Sequence, residues 1–167
     1  MSTLTELLEK KSQQITGMIE KHFHKTPRAA HLVTGDHGET LAMRYLMRQK
    51  YIIVARQWRC GKAPGDLDMI ARGVVAETGE SLLCFVEVKT RSRRDETPAH
   101  IAVDRRKRQI LRRLAQQYLT KLAKGDKPAI RFDIISVYLD GKRGPEFEHF
   151  KGAFGWRDHP RNADHWN

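Results

Sequence analysis

Apolar residues near the start of the chain recur every three or four positions, which is the period of an amphipathic helix. The pattern runs over residues 3–25, and Ser2 or Thr3 is available as an N-terminal cap. Pro27 disfavours a helical conformation at the residue before it, so the pattern ends there. We therefore predict that residues 1–30 form an N-terminal helical extension, whose apolar stripe packs on the main domain or on a partner chain.

A second helix is predicted over residues 38–49. Its buried stripe consists of Ala42, Tyr45 and Leu46, which share one face at helical spacing. Asp36 precedes the stripe and is a candidate N-terminal cap, because its side chain can accept a hydrogen bond from a free backbone N–H group.

The hydrophobic period then changes, and three strands are predicted over residues 51–58, 66–71 and 82–89. A long amphipathic helix follows over residues 99–123, and a fourth strand over residues 130–138. A helical crossover allows the fourth strand to lie parallel to the third, whereas the first three form a meander. We expect an α/β fold with an α-β-β-β-α-β core, in which helices flank a mixed four-stranded sheet.

The order of these elements predicts one central domain. It spans residues 31–140, after the extension of residues 1–30, and a length of 167 residues suits a single domain. Residues 141–167 contain many Gly, Arg and His residues and show little periodicity, so we predict a loosely ordered C-terminal tail.

The net charge of +11 predicts a polyanionic partner. Nucleic acid is favoured over a membrane, because no stretch approaches the roughly 20 apolar residues of a spanning helix. The N-terminus has no export signal, which predicts a cytoplasmic protein. Cys60 and Cys84 lie far apart without a CxxC pattern, so neither a disulfide framework nor a zinc cluster is indicated.

Two charged residues end the apolar third strand. Glu87 and Lys89 are two positions apart and therefore share a face, next to residues that favour burial. Buried charges require a partner or a metal ion, so this placement indicates a functional role. The alternative is an ordinary ion pair at the exposed end of a strand.

Asp66 and Asp68 are also two apart on a predicted strand and would share a face. If the second and third strands pair as a hairpin, Asp68 can lie close to Glu87. Clustered carboxylates repel one another unless a cation lies between them, and their oxygen atoms suit Mg²⁺ or Mn²⁺. The alternative is a solvated acidic pair beside a turn at residues 64–66.

Two further charged residues lie on the apolar stripes of predicted helices. Glu39 either complements the helix dipole or supplies a metal-site carboxylate that reaches the sheet. For Lys107 we favour a side chain that extends its ammonium group to solvent over a catalytic one. His37 lies near Glu39 and is either an accessory site residue or an ordinary loop residue.

Arginines cluster in the loop after the third strand and on the long helix. A single arginine is best explained by solubility, but a cluster beside an acidic pocket favours phosphate binding. Trp156 and Trp166 either stack on bases or, as we favour, pack within the protein. The predicted nucleic-acid-binding set is Arg91, Arg93, Arg94, Arg105, Lys107, Arg108 and Arg112.

Taken in order, these motifs resemble the YraN family of small endonuclease-like bacterial proteins. The match covers about residues 35–138 and implies the restriction-endonuclease-like fold of PD-(D/E)XK nucleases, which is shared with archaeal Holliday junction resolvases. The motifs that carry the resemblance are Gly38-Glu39, the sequence GDLDMIA at residues 65–71, the sequence FVEVKTR at residues 85–91, Lys107, and the sequence RFDII at residues 131–135.

The resemblance implies four catalytic residues. Asp68 matches the aspartate of the motif, Glu87 its acidic residue and Lys89 its lysine, and Glu39 matches the helical glutamate of the resolvases. Asp68, Glu87 and Glu39 would then bind Mg²⁺, with Mn²⁺ as an alternative. Asp66 stands where the family usually has glutamate, so its role is open, and we treat Asp66 and His37 as accessory candidates.

The predicted function is metal-dependent hydrolysis of phosphodiester bonds in structured or branched DNA. The alternative is a nucleic-acid-binding module with the same fold and little catalytic activity, accessory to DNA repair or uptake. Junction-cutting enzymes of this fold generally work as dimers, so the resemblance adds a homodimer to the expectations. A third hypothesis makes the N-terminal helix a dimerisation or partner arm.

Overall fold

The computed structural model of the chain describes residues 30–61, 64–91, 103–140 and 144–157. The predicted N-terminal helix lies outside these ranges up to residue 29. Arg93, Arg94 and Trp166 also lie outside the described residues.

The described residues form two helices and five strands in the order α-β-β-β-α-β-β. The predicted α-β-β-β-α-β order is therefore confirmed, and one further strand follows it. The elements are α1 (Ala30–Arg48), β1 (Ile52–Trp58), β2 (Leu67–Val74), β3 (Ser81–Arg91), α2 (Arg105–Leu119), β4 (Ala129–Tyr138) and β5 (Glu146–Phe154).

All five strands belong to one mixed sheet, in the spatial order β1-β2-β3-β4-β5. The β3 and β4 strands pair in parallel, and the other neighbouring pairs are antiparallel. The predicted meander and the parallel crossover through α2 are both confirmed. The predicted number of four strands is wrong, because β5 extends the sheet beyond β4.

A bulge explains why the sequence pattern did not reveal β5. Phe150 pairs with Ile134 and Phe154 pairs with Phe132. The three residues between Phe150 and Phe154 therefore lie opposite a single residue of β4, Asp133. The bulge interrupts the alternation of inward and outward side chains on which strand prediction relies. Residues 146–154 are therefore a strand, and the prediction of a loosely ordered tail is wrong for them.

Each face of the sheet is covered by one helix, which gives three layers. The core under α1 contains Ala42, Met43 and Leu46. The core under α2 contains Leu111, Leu114 and Ala115. From the sheet, Met69, Val86, Ile135 and Val137 face α1, whereas Ile70, Phe85, Phe132 and Ile134 face α2.

The first helix begins earlier than predicted. It starts at Ala30 rather than at residue 38, so Asp36 lies inside α1 and is not its cap. The main-chain carbonyl of Asp36 accepts a hydrogen bond of 2.9 Å from Thr40 Oγ1. Gly35 and Asp36 are weak helix formers without apolar periodicity, which explains why this turn was not predicted.

The second helix begins later than predicted. Asp104 is its N-cap and accepts a hydrogen bond of 2.7 Å from the backbone nitrogen of Lys107, so α2 starts at Arg105. The start predicted at residue 99 is wrong, because Val103 precedes the cap and is buried in the core. No helix within the described ranges is long and apolar enough to cross a membrane.

A buried carboxylate joins β4 to the bulge in β5. Arg131 donates two hydrogen bonds of 2.8 Å to Asp133, and the backbone nitrogen of Gly152 donates one of 2.9 Å. His149 Nε2 lies 3.0 Å from the same carboxylate, and Arg131 also donates to Tyr51. Burial alone would raise the pKa of Asp133, but its bonds with His149, Arg131 and Gly152 outweigh burial and hold that pKa below its ordinary value.

Candidate active site

The acidic site lies where β2 and β3 separate. Their antiparallel pairing runs from Val74 opposite Ser81 to Met69 opposite Val86. Just beyond this last pair, the backbone nitrogen of Val88 donates a hydrogen bond of 2.7 Å to the side-chain oxygen Oδ2 of Asp68. The aspartate thus takes the place of a backbone acceptor, and its side chain is directed towards β3.

Glu87 is buried between two lysines from different elements. Its side chain is 3% exposed, and Oε1 accepts a hydrogen bond of 2.9 Å from Lys89 Nζ. Its other oxygen, Oε2, is shielded from solvent and forms an ion pair with Lys107, whose Nζ lies 3.0 Å away. The predicted extension of Lys107 into solvent is therefore wrong, because its ammonium group is directed towards Glu87.

The charge of Glu87 acts on Asp68. Burial and the charge of Glu87 raise the pKa of Asp68 to about 8, against the opposing effects of the Val88 N–H bond and of Lys107. Asp68 therefore retains a proton through neutral pH when no other cation is present. Burial lowers the pKa of Lys107, but the charge and hydrogen bonding of Glu87 outweigh it and raise that pKa overall.

Glu39 approaches the site from α1. Gln57 Nε2 donates a hydrogen bond of 3.1 Å to Glu39 Oε2, and Arg56 lies 3.8 Å from the same oxygen. Burial raises the pKa of Glu39 and outweighs the Gln57 hydrogen bond and the Arg56 charge, which lower it. Glu39 is close enough to Asp68 for its charge to raise the pKa of Asp68, while the side chains of Gln57 and Arg56 on β1 hold the Glu39 carboxylate.

A close contact positions the helix that carries Glu39. Gly38 lies against Thr90 at the end of β3, and a Cβ atom at Gly38 would collide with the Thr90 side chain. Only glycine therefore allows α1 to pass so near to β3. Gly38 thus allows α1 to approach β3 closely, and the carboxylate of the next residue, Glu39, depends on that approach to reach the site.

The two accessory candidates lie at the margin of the site. Asp66 precedes β2 rather than sharing a strand face with Asp68, and its carboxylate accepts hydrogen bonds of 2.8 and 3.2 Å from Arg59. His37 is exposed on α1, and the structure does not bring it into the contacts of Asp68 and Glu87.

Sequence reasoning missed three site residues on and after β1, namely Arg56, Gln57 and Arg59. Gln57 has a φ of 45°, a left-handed conformation that is uncommon for a residue other than glycine. Its side chain donates to both Asp36 and Glu39. A glutamine in a strand has no distinctive pattern, so no signal in the sequence indicated this role.

The predicted phosphate-binding arginines on α2 are held against the end of β5. Arg108 Nε donates to the Val103 carbonyl and Arg112 Nε to the Gly155 carbonyl, both at 2.8 Å. Their guanidinium groups lie 5.8 and 5.5 Å from the centre of the Phe154 ring. Arg105 is exposed at the start of α2, and Arg91 is half-buried at the end of β3.

Two carboxylates are the ligand set that this geometry supports. Mg²⁺ in proteins is commonly bound by one or two carboxylates, with water and substrate phosphate as the other ligands, so Asp68 and Glu87 fit it. The buried Oε2 atom of Glu87 would bind a metal ion in competition with Lys107. Within the described ranges no three His, Cys, Asp or Glu residues are arranged to hold a metal ion, so Glu39 is not brought into a shared ligand set.

Comparison with known proteins matches the part of the chain that contains this site. The sequence model of the uncharacterised protein family UPF0102 matches residues 38–137. The chain is 44% identical over 124 residues to a UPF0102 protein from Koribacter versatilis, covering 74% of this chain and 80% of that relative. It is 46% identical over 123 residues to a UPF0102 protein from Nocardia farcinica, covering 72% and 87%.

Proposed function

The chain belongs to the uncharacterised protein family UPF0102, which is the YraN family, and we propose that it is a metal-dependent nuclease that hydrolyses phosphodiester bonds. The observation that carries the proposal is the convergence of Asp68, Glu87 and Lys89 at the point where β2 and β3 separate. Two repelling carboxylates beside a lysine at one end of a sheet serve no evident purpose in stabilising the fold.

Asp68 and Glu87 are the residues that would hold Mg²⁺ or Mn²⁺. A bound divalent ion lowers the pKa of a coordinated water and offsets the charge that develops on the phosphate. Asp68 would release its proton when the metal binds. Its raised pKa shows that this carboxylate binds a proton at neutral pH when no metal is present, so proton and metal would compete for it.

The two lysines supply positive charge on either side of Glu87. Lys89 is 32% exposed and Lys107 is 30% exposed, so both ammonium groups can be reached from solvent. Either lysine would attract a phosphate of the substrate to the carboxylate pair and offset its charge. Glu39 would contribute its negative charge to the electrostatic potential of the site, because its carboxylate is already held by Gln57.

Nucleic acid is the proposed substrate class because the net charge is +11 and α2 carries exposed arginines beside the acidic pocket. Structured or branched DNA is proposed from the resemblance of the motifs to those of the junction resolvases. We further propose that the protein is cytoplasmic and works as a homodimer. Sedimentation analysis of the full chain tests whether it is a homodimer.

A second function is favoured by one observation. Both oxygens of Glu87 already face a lysine. A nucleic-acid-binding module with little catalytic activity would need no metal, and such lysine contacts would then be permanent. This alternative shares the substrate class and differs only in the chemistry.

Cleavage of a labelled panel separates the two functions. The panel contains single-stranded, duplex, flap and four-way-junction DNA together with RNA, incubated in Mg²⁺, Mn²⁺ or EDTA. The wild type is compared with Glu87→Gln and with the matched control Glu77→Gln, whose side chain is exposed in the β2–β3 turn. Metal-dependent cutting that Glu87→Gln loses and Glu77→Gln keeps supports the nuclease. Salt-sensitive binding without cutting in any metal supports the binding module instead.

A further inference from the structure

A tryptophan is exposed immediately after β5. Trp156 is 44% exposed, although large aromatic side chains favour burial. It contacts the buried Phe132 with ring centres 5.0 Å apart and planes at 83°. The packing role favoured from the sequence therefore accounts for only part of its surface.

The geometry around Phe132 determines which part of Trp156 is covered. One face of the Phe132 ring is stacked on Phe154 at 4.8 Å, and Phe85 lies at 5.6 Å with its plane tilted by 30°. Trp156 packs on Phe132 in an edge-to-face arrangement, which covers only part of the indole. The rest of the indole is open to solvent, since 44% of Trp156 is exposed.

Two arginines contact the residues just before this indole. Arg112 Nε donates a hydrogen bond of 2.8 Å to the carbonyl of Gly155, the residue before Trp156. The guanidinium groups of Arg108 and Arg112 lie over Phe154, which fixes their direction. A partly exposed indole that directly follows two residues contacted by arginines offers stacking for a base and positive charge for its phosphate.

The same helix connects this surface to the acidic pocket. Lys107 contacts Glu87 in the pocket, and Arg112 follows five residues later on α2. Five residues of helix span about 7.5 Å along its axis, which is on the order of one nucleotide of an extended single strand. A strand whose phosphate reaches the pocket would therefore place a neighbouring nucleotide near Trp156.

We propose that Trp156 and Arg112 form a platform that stacks an unpaired nucleotide of a single-stranded nucleic acid. The inference rests on the proposed function, because it names the part of the substrate that lies beside the site. Charge complementarity selects this occupant: the bordering side chains are arginines and the chain carries a net charge of +11, whereas an apolar partner would gain nothing from them. A paired base cannot stack there, so the platform favours substrates with a single-stranded segment.

Binding measured in EDTA tests the platform without any cleavage. Short labelled oligothymidylate, oligouridylate and a DNA duplex are titrated with the full-length wild type, Trp156→Leu and Trp156→Phe, and Kd is read from fluorescence anisotropy. Loss of one stacked base is expected to raise the Kd of Trp156→Leu for the single strands about 5- to 100-fold and to leave duplex binding unchanged. Comparison of the two single strands identifies the sugar that the platform accepts.

A second readout separates stacking from a structural role. Stacking quenches indole emission, so an oligothymidylate should quench the wild type more than Trp156→Phe, which keeps a ring for packing. Val74→Ala, at another exposed apolar residue, is the matched control and should bind like the wild type. Thermal melting shows whether each variant is folded.

The proposal is overturned if folded Trp156→Leu binds the single strands as tightly as the wild type, or loses duplex and single-strand binding equally. This result is distinct from failure of the nuclease proposal. A wild type that never cuts would refute hydrolysis, while the binding difference at Trp156 would still be measurable.

Discussion

Lys107 on α2 reaches Glu87 on β3, with Nζ 3.0 Å from the buried Oε2 atom. The other partner of Glu87, Lys89, comes from the same strand. A carboxylate at the end of β3 is thus neutralised in part by a residue that arrives only with the crossover helix. Lys107 and a metal ion would compete for the same oxygen.

Lys107→Met should therefore have opposite effects with and without metal. Without metal it should lower the free energy of unfolding by about 1–3 kcal/mol, because a buried oxygen loses its cation. With saturating Mg²⁺ its Tm should rise more than that of the wild type, because the competitor is absent. Thermal melting checks both effects, with Lys124→Met, at an exposed lysine, as the control. An equal Mg²⁺ shift in Lys107→Met and wild type would contradict this competition.

The pKa of Asp68, raised to about 8, predicts how stability depends on pH. The folded protein keeps a proton that the unfolded chain releases near pH 3.9, so metal-free stability should fall as pH rises from about 4 to about 8. Asp68→Asn keeps the acceptor for Val88 and removes the charge, so it should be about 1–2 kcal/mol more stable than the wild type near pH 8.

Urea unfolding in EDTA at pH 5 and at pH 8.5 measures this difference. Asp140→Asn, at an exposed aspartate, controls for the general effect of removing a negative charge from the chain. If Asp68→Asn is no more stable than the wild type at the higher pH, Asp68 does not hold a proton in the folded state.

The Asp133 cluster predicts a loss of stability with the reverse pH dependence. Asp133→Asn should lower the free energy of unfolding by about 3–5 kcal/mol at neutral pH, because Arg131 is left half-buried without its charged partner. The pKa of Asp133 is lowered, so its contribution is present above about pH 3.9 and is lost as pH falls below that value. The difference between variant and wild type should therefore shrink in acid.

Hydrogen exchange locates the effect, and β5 should lose protection first, because Gly152 and His149 are joined to β4 through Asp133. Uniform loss of protection over the whole sheet would argue against a local connection between these strands.

Two glycines in α1 predict opposite responses to the same substitution. Gly38→Ala should destabilise by about 1–3 kcal/mol, because its Cβ would collide with Thr90. Gly35→Ala has open space and should stabilise by about 0.4–1 kcal/mol through the greater helix propensity of alanine. Chemical denaturation of both variants measures the pair. Stabilisation by Gly38→Ala would show that α1 does not approach β3 as closely as described.

The central fold was predictable because its signals are local. Apolar periodicity identifies α1, β3 and α2, and the contact of Glu87 with Lys89 follows from their spacing of two residues on a strand. The pairing of Asp68 with β3 needed only the hairpin between them. These features depend on residues that are close together in the sequence, so the pattern of apolar and polar residues is enough to predict them.

The remaining features depend on contacts between distant segments. The bulge opposite Asp133 removes the alternation that would reveal β5, and no spacing in the sequence shows that Gln57 holds Glu39. The direction of Lys107 depends on how α2 crosses the sheet, so a charged residue on an apolar stripe remained ambiguous until Glu87 was placed beneath it.

The hairpin geometry also sets an order of events as the chain folds. Asp68 and Val88 are 20 residues apart and meet by forming one β-hairpin, whereas Lys107 can reach Glu87 only after the crossover helix docks. The repelling carboxylates therefore come together before their second ammonium partner is in place. We therefore expect refolding without metal to be slower at a pH at which both carboxylates are charged than at a pH at which one is protonated. The feature that prepares the site for a cation thus places an electrostatic barrier early on the folding pathway.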